Sequence, residues 1–123
     1  MNKKIILWFS RHPPLKAELK ALKEHFGDYQ LIPIPNVKDA NHVENLISQY
    51  NADECITVLP LWIIYRLVEK GIKPIYAQMQ PIEQIENPDT DVQDEKTGRC
   101  YRFLKFLRIV NIKIETEELK KEV

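Results

Sequence analysis

Glycine is scarce in this chain of 123 residues, which contains only 3. The sequence has no Gly-x-Gly-x-x-Gly and no Gly-Lys-Ser/Thr, the glycine-bearing loops that hold the phosphates of dinucleotides and nucleoside triphosphates. It also has no Gly-x-Ser-x-Gly, the turn that presents the nucleophile of many serine hydrolases. These absences disfavour a dinucleotide-dependent enzyme, a nucleoside triphosphatase and a serine hydrolase.

An excess of charge is also lacking, because 18 basic residues balance 18 acidic ones. Tight binding to long nucleic acid needs a clear basic excess and is therefore disfavoured. A short or cyclic nucleotide needs only a local basic pocket, so this ligand class stays open. The two cysteines, Cys55 and Cys100, are isolated and have no metal-ligand spacing. They are expected to be reduced intracellular thiols.

Long apolar runs are missing as well. The first apolar run, over 5–9, is too short for a membrane helix, and no small-residue cleavage site follows it. We therefore expect a cytoplasmic protein without a membrane anchor. The length of the chain predicts a single domain over residues 1–123.

The richest chemistry lies in the stretch from Ile5 to Pro14. Its apolar half predicts a buried strand, which ends at Ser10, Arg11 and His12, and two prolines precede a helical pattern. A guanidinium matches phosphate oxygens, helix N-termini attract anions, and histidine exchanges protons near neutral pH. The loop is therefore a candidate phosphate site with acid–base chemistry. The alternative is that Arg11 and His12 are solvated loop residues.

Apolar strands alternate with helical patterns through the first two thirds of the chain. Strands are predicted over 5–9, 29–35, 55–59 and 73–79, with three helices between them. Such alternation predicts an α/β fold with a mostly parallel sheet and helices on both faces. The third helix, after Pro60, is apolar on most sides, so it is either deeply buried or covered by a partner subunit.

The last third of the chain is divided by charge. Residues 81–98 are rich in Asp and Glu and predict a mobile, solvated acidic loop. Residues 99–115 alternate basic and apolar side chains, which predicts a long β hairpin at the sheet edge with its bend at Val110-Asn111. A helix is the alternative, since the basic residues recur at every third position.

Three short motifs together resemble a known family. They are Phe9-Ser10-Arg11-His12-Pro13, Val58-Leu59-Pro60, and the run from Lys70 to Tyr76. The set is similar to the small stand-alone ring nucleases of type III CRISPR systems. The resemblance implies a Rossmann-like, CARF-like three-layer sandwich that binds cyclic oligoadenylate, with cyclic tetra-adenylate as the expected ring. It also implies metal-independent cleavage, without a cofactor, to linear products that end in a 2′,3′-cyclic phosphate, which would switch off CRISPR signalling.

The resemblance also implies roles for individual residues. Arg11 would stabilise the charge on the phosphate, and His12 would act as general acid or base. Four further residues would contact the ligand: Ser10, Asn36, Leu59 and Pro60. A ligand with rotational symmetry suits a homodimer.

Two alternatives remain open at this stage. The first is a sponge or sensor of the same fold, which binds the ring without cleaving it. The second is a small α/β enzyme that acts on phosphomonoesters or nucleotides. Cys55 argues against the second alternative, since it begins a strand and lies at the wrong end for a nucleophile.

Overall fold

The computed structural model of the protein describes residues 3–120, in which four strands alternate with three helices before two further strands follow. In chain order the elements are β1 (Lys4–Phe9), α1 (Lys16–Phe26), β2 (Tyr29–Pro33), α2 (Ala40–Tyr50), β3 (Glu54–Thr57), α3 (Leu61–Glu69), β4 (Ile75–Ile82), β5 (Asp91–Gln93) and β6 (Cys100–Arg108). The predicted α/β class is confirmed, and the boundaries of the first four strands differ from the predictions by a few residues.

All six strands form one sheet in the order β2-β1-β3-β4-β6-β5. The strands β1 to β4 are parallel to one another wherever they pair. Strand β6 runs antiparallel to β4, and β5 runs antiparallel to β6. The sheet is therefore mixed, and its parallel part is limited to β1–β4.

The two faces of the sheet carry separate apolar clusters, and β1 contributes to both. Leu7 and Phe9 pack on one face with α2 and α3. Ile6 and Trp8 pack on the opposite face with Leu22 of α1. Because successive side chains of a strand point to opposite faces, a short continuous apolar run can bury both. This fits the position of β1 as an internal strand, between β2 and β3.

The direction in which successive strands are added to the sheet reverses at β1. It goes from β1 outward to β2 and then crosses back to β3 on the other side of β1. Helix α1 covers one face, whereas α2 and α3 cover the other, as crossovers of one hand require when the direction reverses. A crevice forms at such a reversal, beyond the carboxyl ends of the two strands. Here those strands are β1 and β3, and we call the region beyond their carboxyl ends the crevice.

Strand β4 is longer than its parallel neighbour. Thr57 at the end of β3 pairs with Tyr76, but β4 continues to Ile82 with β6 beside it. At about 3.3 Å per residue, this extension carries the β4–β6 ribbon about 20 Å beyond β3. The ribbon therefore rises beside the carboxyl edge of the parallel strands.

The acidic segment 81–98 differs from the solvated loop that was predicted. It contains the end of β4 and the whole of β5, and it holds the buried side chain of Asp91. Arg102 of β6 donates to this carboxylate from Nε at 2.9 Å. A basic residue on the neighbouring strand explains why an acidic segment joins the sheet.

The predicted C-terminal hairpin is wrong. Residues 109–120 contain no strand, and β6 is a single strand. A two-residue turn at Val110-Asn111 requires Ile109 and Ile112 to exchange both backbone hydrogen bonds. The N–H of Ile109 instead donates to the carbonyl of Pro74 at 2.9 Å, on the β4 side. The predicted hairpin would also place Arg108 opposite Lys113, and like charges in that position destabilise a strand pair.

A membrane-spanning helix is not present among residues 3–120, since none of the three helices is long and apolar enough to cross a bilayer.

Candidate functional site

The loop after β1 is held by its own side chains. The indole Nε1 of Trp8 donates to the carbonyl of His12 at 2.8 Å, and the N–H of His12 donates to Oγ of Ser10 at 3.2 Å. Trp8 is itself buried between the sheet and α1. The backbone of His12 is thus fixed on both sides, while its imidazole remains half-buried and reachable.

The loop after β3 is held by a similar hydrogen bond from a backbone N–H to a side-chain hydroxyl. The N–H of Leu59 donates to Oγ1 of Thr57 at 2.8 Å, two residues earlier. The same i to i+2 geometry joins His12 to Ser10, and such hydroxyl turns let a strand end sharply. Because Phe9 and Thr57 are register partners, the two turns stand side by side.

All six predicted site residues lie at the carboxyl edge of the parallel strands. Ser10, Arg11 and His12 follow β1, while Leu59 and Pro60 follow β3. These five residues lie on the two sides of the crevice, at the point where the strand order reverses. Asn36 lies three residues beyond the end of β2, so it is at the same edge but on the outer side of β1.

The start of α1 offers fewer free donors than the sequence suggests. The N–H of Ala17 donates to the carbonyl of Asp89 at 3.0 Å. The N–H of Leu15 donates to the Glu18 carboxylate at 2.9 Å, and Pro13 and Pro14 have no N–H. Two of the backbone donors at this helix N-terminus, those of Leu15 and Ala17, are therefore engaged by the protein itself. Arg11, which is exposed, remains the main cationic group of the loop.

Glu18 is an unusual group beside this loop, because its side chain is buried. Burial raises the pKa of the Glu18 carboxyl, and the hydrogen bond from Leu15 opposes that shift. The carboxylate receives the chain where it enters the helix, so it positions the end of the loop.

The sequence did not identify the contribution of the acidic segment. Asp89 contacts the start of α1 through its carbonyl, and its carboxylate lies 3.8 Å from Nζ of Lys16. Asp94, in the turn between β5 and β6, has a lowered pKa because the N–H of Lys96 donates to it and, further, because His12 lies within electrostatic range. A turn signal was available at Thr97-Gly98. Nothing local in the sequence linked that turn to β1.

Two grooves lie outside the crevice. A groove of about 510 Å³ separates the start of α2 from α3 and is lined by Trp62, Arg66 and Asp39, among others. A second, of about 390 Å³, lies at the amino end of β3 beside Cys55 and Arg108. Neither groove is lined by Ser10, Arg11 or His12.

An apolar patch adjoins the β3 side of the crevice. Its members are Val58, Leu61 and Trp62, which are 52%, 68% and 59% exposed. Helix α3 buries Ile63, Ile64 and Leu67 against the sheet. One face of α3 is thus part of the core and the other is uncovered. The sequence had suggested that the helix is either deeply buried or covered by a partner subunit, and the buried face fits the first of these interpretations. We call Val58, Leu61 and Trp62 the α3 patch.

In residues 3–120, no group of three or more His, Cys, Asp or Glu side chains is arranged to hold a metal ion. No protein-family model, no curated protein and no solved structure matches the chain. The chemistry of the site therefore has to be argued from its geometry.

Proposed function

We propose that the protein is a metal-independent ring nuclease that cleaves a cyclic oligoadenylate, with cyclic tetra-adenylate as the preferred ring. The observation that carries the proposal is the position of Ser10, Arg11 and His12 at the crevice between β1 and β3. This is where open α/β sheets bind their ligands. The Rossmann-like architecture belongs to the same proposal and rests on the order and direction of β1–β4.

The proposed reaction uses the ribose next to the scissile phosphate. The 2′-hydroxyl oxygen attacks phosphorus, the bond from phosphorus to the 5′-oxygen breaks, and a 2′,3′-cyclic phosphate and a 5′-hydroxyl result. His12 would take the proton from the 2′-hydroxyl or give one to the leaving oxygen. Arg11 would stabilise the charge that develops on the phosphorane oxygens.

Geometry supports these roles for two neighbouring residues. The His12 backbone is held by Trp8 and Ser10, so the backbone position from which its imidazole extends is fixed. Arg11 precedes it and is exposed, free to follow a phosphate. Fixed catalytic groups supply rate through orientation, since misplacement of the base or the phosphate by about 1 Å can cost about 10²-fold in rate.

The purine and ribose would contact the neighbouring loops. Leu59 and Pro60 supply apolar surface beside the strand-one loop, and Asn36 supplies amide hydrogen-bonding groups on the far side. Base recognition by apolar surfaces and a few polar groups is typical of small-molecule sites.

A homodimer is part of the proposal. A ring with two-fold symmetry is best bound across a two-fold axis. The α3 patch adjoins Leu59 and Pro60 and exposes large apolar side chains, which favours contact with a second copy at this edge. A dimer through the patch would bring two copies of the β1 loop towards one ligand.

A second candidate function is binding without cleavage, as a sponge or sensor. The observation that favours it is the occupied start of α1, where Asp89 and Glu18 take up the donors that would otherwise stabilise a transition state. Such a protein would hold the ring through Arg11 and release it intact.

The test is incubation of the purified protein with cyclic tetra-adenylate in EDTA, followed by chromatographic separation of the products. We expect linear adenylates that end in a 2′,3′-cyclic phosphate. His12→Ala should reduce the rate by about 10²-fold or more, the scale expected for a general acid or base. Arg11→Ala should weaken both binding and cleavage.

The matched control is His25→Ala, because His25 is exposed on α1 and its ring lies edge-on against Phe26. Its rate should equal that of the wild type. An intact ring that co-elutes with the protein would support the sponge or sensor, and a ring that is neither bound nor cleaved would overturn both.

A further inference from the structure

Part of one sheet edge lies open along β6. Strand β5 pairs only with the first residues of β6, from Cys100 to Arg102. Beyond the contact of Phe103 with Thr90, the described chain places no strand on this side of residues 104–108. Because the N–H of Ile109 points to β4, alternation along the strand turns the amides of Arg108 and Phe106 outward.

The chain also ends in a segment with the sequence of a strand. Ile112-Lys113-Ile114-Glu115 alternates apolar and charged residues, as a half-buried strand does. Residues 109–120 nevertheless belong to no described strand or helix, and Ile114 is 65% exposed. The described structure thus contains an unpaired edge and an unpaired strand-like tail.

The tail cannot close tightly on its own β6. A turn at Val110-Asn111 needs the N–H of Ile109, which the carbonyl of Pro74 accepts. That register would further bring Lys113 against Arg108. Pairing with β6 of a second copy is free of both restrictions, since its register is not set by a two-residue turn.

Charge favours the tail as the occupant of the edge. The open part of β6 carries Lys105, since Arg108 at its end is already paired with Glu54, whereas residues 112–118 carry Glu115, Glu117 and Glu118 against a single Lys113. Pairing of two β6 edges would instead bring the basic residues of both copies together, and like charges oppose strand pairing. Exposed edges commonly recruit a strand from another chain, and lysines on the edge select against the wrong one.

We propose that residues 112–118 of one copy add as a strand to the open edge of β6, residues 104–108, in a second copy. Under two-fold symmetry the exchange is reciprocal, so each copy gives one tail and receives one. The proposal concerns the sheet edge and does not depend on the proposed catalytic function.

The test is amide hydrogen exchange by NMR on the full chain. The outward amides of Phe106 and Arg108 should be protected about tenfold or more in concentrated samples relative to dilute ones. Leu107, whose amide faces β4, serves as the internal reference. Ile114→Pro should abolish the added protection, because proline gives no ladder donor. Leu119→Pro, at a position that is 95% exposed and beyond the pairing segment, should not.

A mixing experiment separates the second copy from the chain's own tail. Isotope-labelled Ile114→Pro protein is combined with excess unlabelled wild type. Protection of the labelled Phe106 and Arg108 amides shows that a tail arrives from another copy. Absence of that protection overturns the proposal, because protection seen in wild type would then come from the chain's own tail. Protection that survives in pure Ile114→Pro protein also overturns it, since it indicates pairing of two β6 edges.

Discussion

The carboxylate of Asp91 lies fully buried against the guanidinium of Arg102, which donates from Nε to Oδ1 at 2.9 Å and from Nη2 to Oδ2 at 3.2 Å. The N–H groups of Glu86 and Asn87 each donate to Oδ2 at 2.9 Å, and the hydroxyl of Thr90 donates to Oδ1 at 2.8 Å. One side chain therefore gathers the acidic segment and fixes it to β6. Arg102 also donates to Glu86, which closes the cluster.

Asp91→Asn should destabilise the protein, because the amide cannot accept all these donors and leaves Arg102 with only the more exposed Glu86 as an ionised partner. Hydrogen bonds from Arg102, then those from Asn87 and Glu86, lower the pKa of Asp91 below its usual range. A lowered pKa gives stability that is present above about pH 4 and lost as the pH falls further. The Tm of the variant should be lower by several degrees at neutral pH, and the difference from wild type should shrink in acid.

The control for this variant is Glu95→Gln, which removes an exposed carboxylate from the same segment. Its melting temperature should follow that of the wild type at each pH. If both variants lost the same stability at neutral pH, net charge and not the cluster would explain the effect of Asp91.

Glu18→Gln is predicted to have the opposite dependence on pH. Burial raises the pKa of the Glu18 carboxyl, so its contribution to stability is complete in acid and is lost as the pH rises through the raised pKa. Glutamine keeps the oxygen that accepts from Leu15 but carries no charge. The free energy of unfolding, measured with urea, should favour the variant increasingly from acidic to neutral pH.

The control for Glu18→Gln is Glu24→Gln on the exposed face of the same helix. It should show no such trend, because the Glu24 side chain lies in solvent and is not part of the buried contacts of α1. A constant difference between Glu18→Gln and wild type across the pH range would contradict the assignment of a buried charge.

Cys55 should be nearly inert in the folded protein. Burial, and then the charge of Glu54, raise the pKa of the thiol to about 12, while Arg108 acts against the shift. Since the thiolate is the nucleophile, alkylation at mildly alkaline pH should be slower than in the unfolded chain by about 10³-fold. Iodoacetamide labelling followed by peptide mass spectrometry, with and without denaturant, measures the ratio. Equal rates in both conditions would show that Cys55 is accessible.

Local patterns in the sequence were sufficient for β1, α1 and the loop between them. Five apolar residues fit a strand buried on both faces, and the spacing of Leu19, Leu22 and Phe26 fits one helix face. Gly27, with φ of 74°, ends α1 in a conformation that favours glycine. These features depend on neighbours in the chain, so periodicity and turn chemistry describe them well.

Strand β4 and a strand over the residues of β6 were predicted, but β5 and the contacts that join β4, β5 and β6 were beyond such reasoning. In the sequence, Asp91 cannot be distinguished from the other acidic residues of segment 81–98. Its burial depends on the ion pair with Arg102, which is distant in the chain. The same holds for Asp89, whose carbonyl occupies the Ala17 N–H at the start of α1. Contacts between residues far apart in the chain produce no periodic sequence pattern. The position of the β4–β6 ribbon beside the candidate site could therefore not be predicted from the sequence.

Trp8→Phe tests whether the β1 loop must be held for the site to work. The indole N–H is the donor that fixes the His12 carbonyl, and phenylalanine keeps a buried ring without that donor. Loss of one buried hydrogen bond should lower the free energy of unfolding by about 1–2 kcal/mol. Binding of cyclic tetra-adenylate should weaken by about tenfold, since the bound loop must then be ordered at the cost of affinity.

Trp62→Phe is the matched control, because Trp62 is the second tryptophan of the chain and lies exposed on α3. Its effect on unfolding should stay within about 0.5 kcal/mol. Both variants are compared by urea unfolding, whereas calorimetric titration with the ring compares Trp8→Phe with wild type, because Trp62 belongs to the α3 patch at the proposed dimer contact. Because the Trp8 indole acts through the backbone of His12, an unchanged affinity in Trp8→Phe would mean that the ligand does not depend on the position of this loop, and the assignment of the crevice would then be wrong.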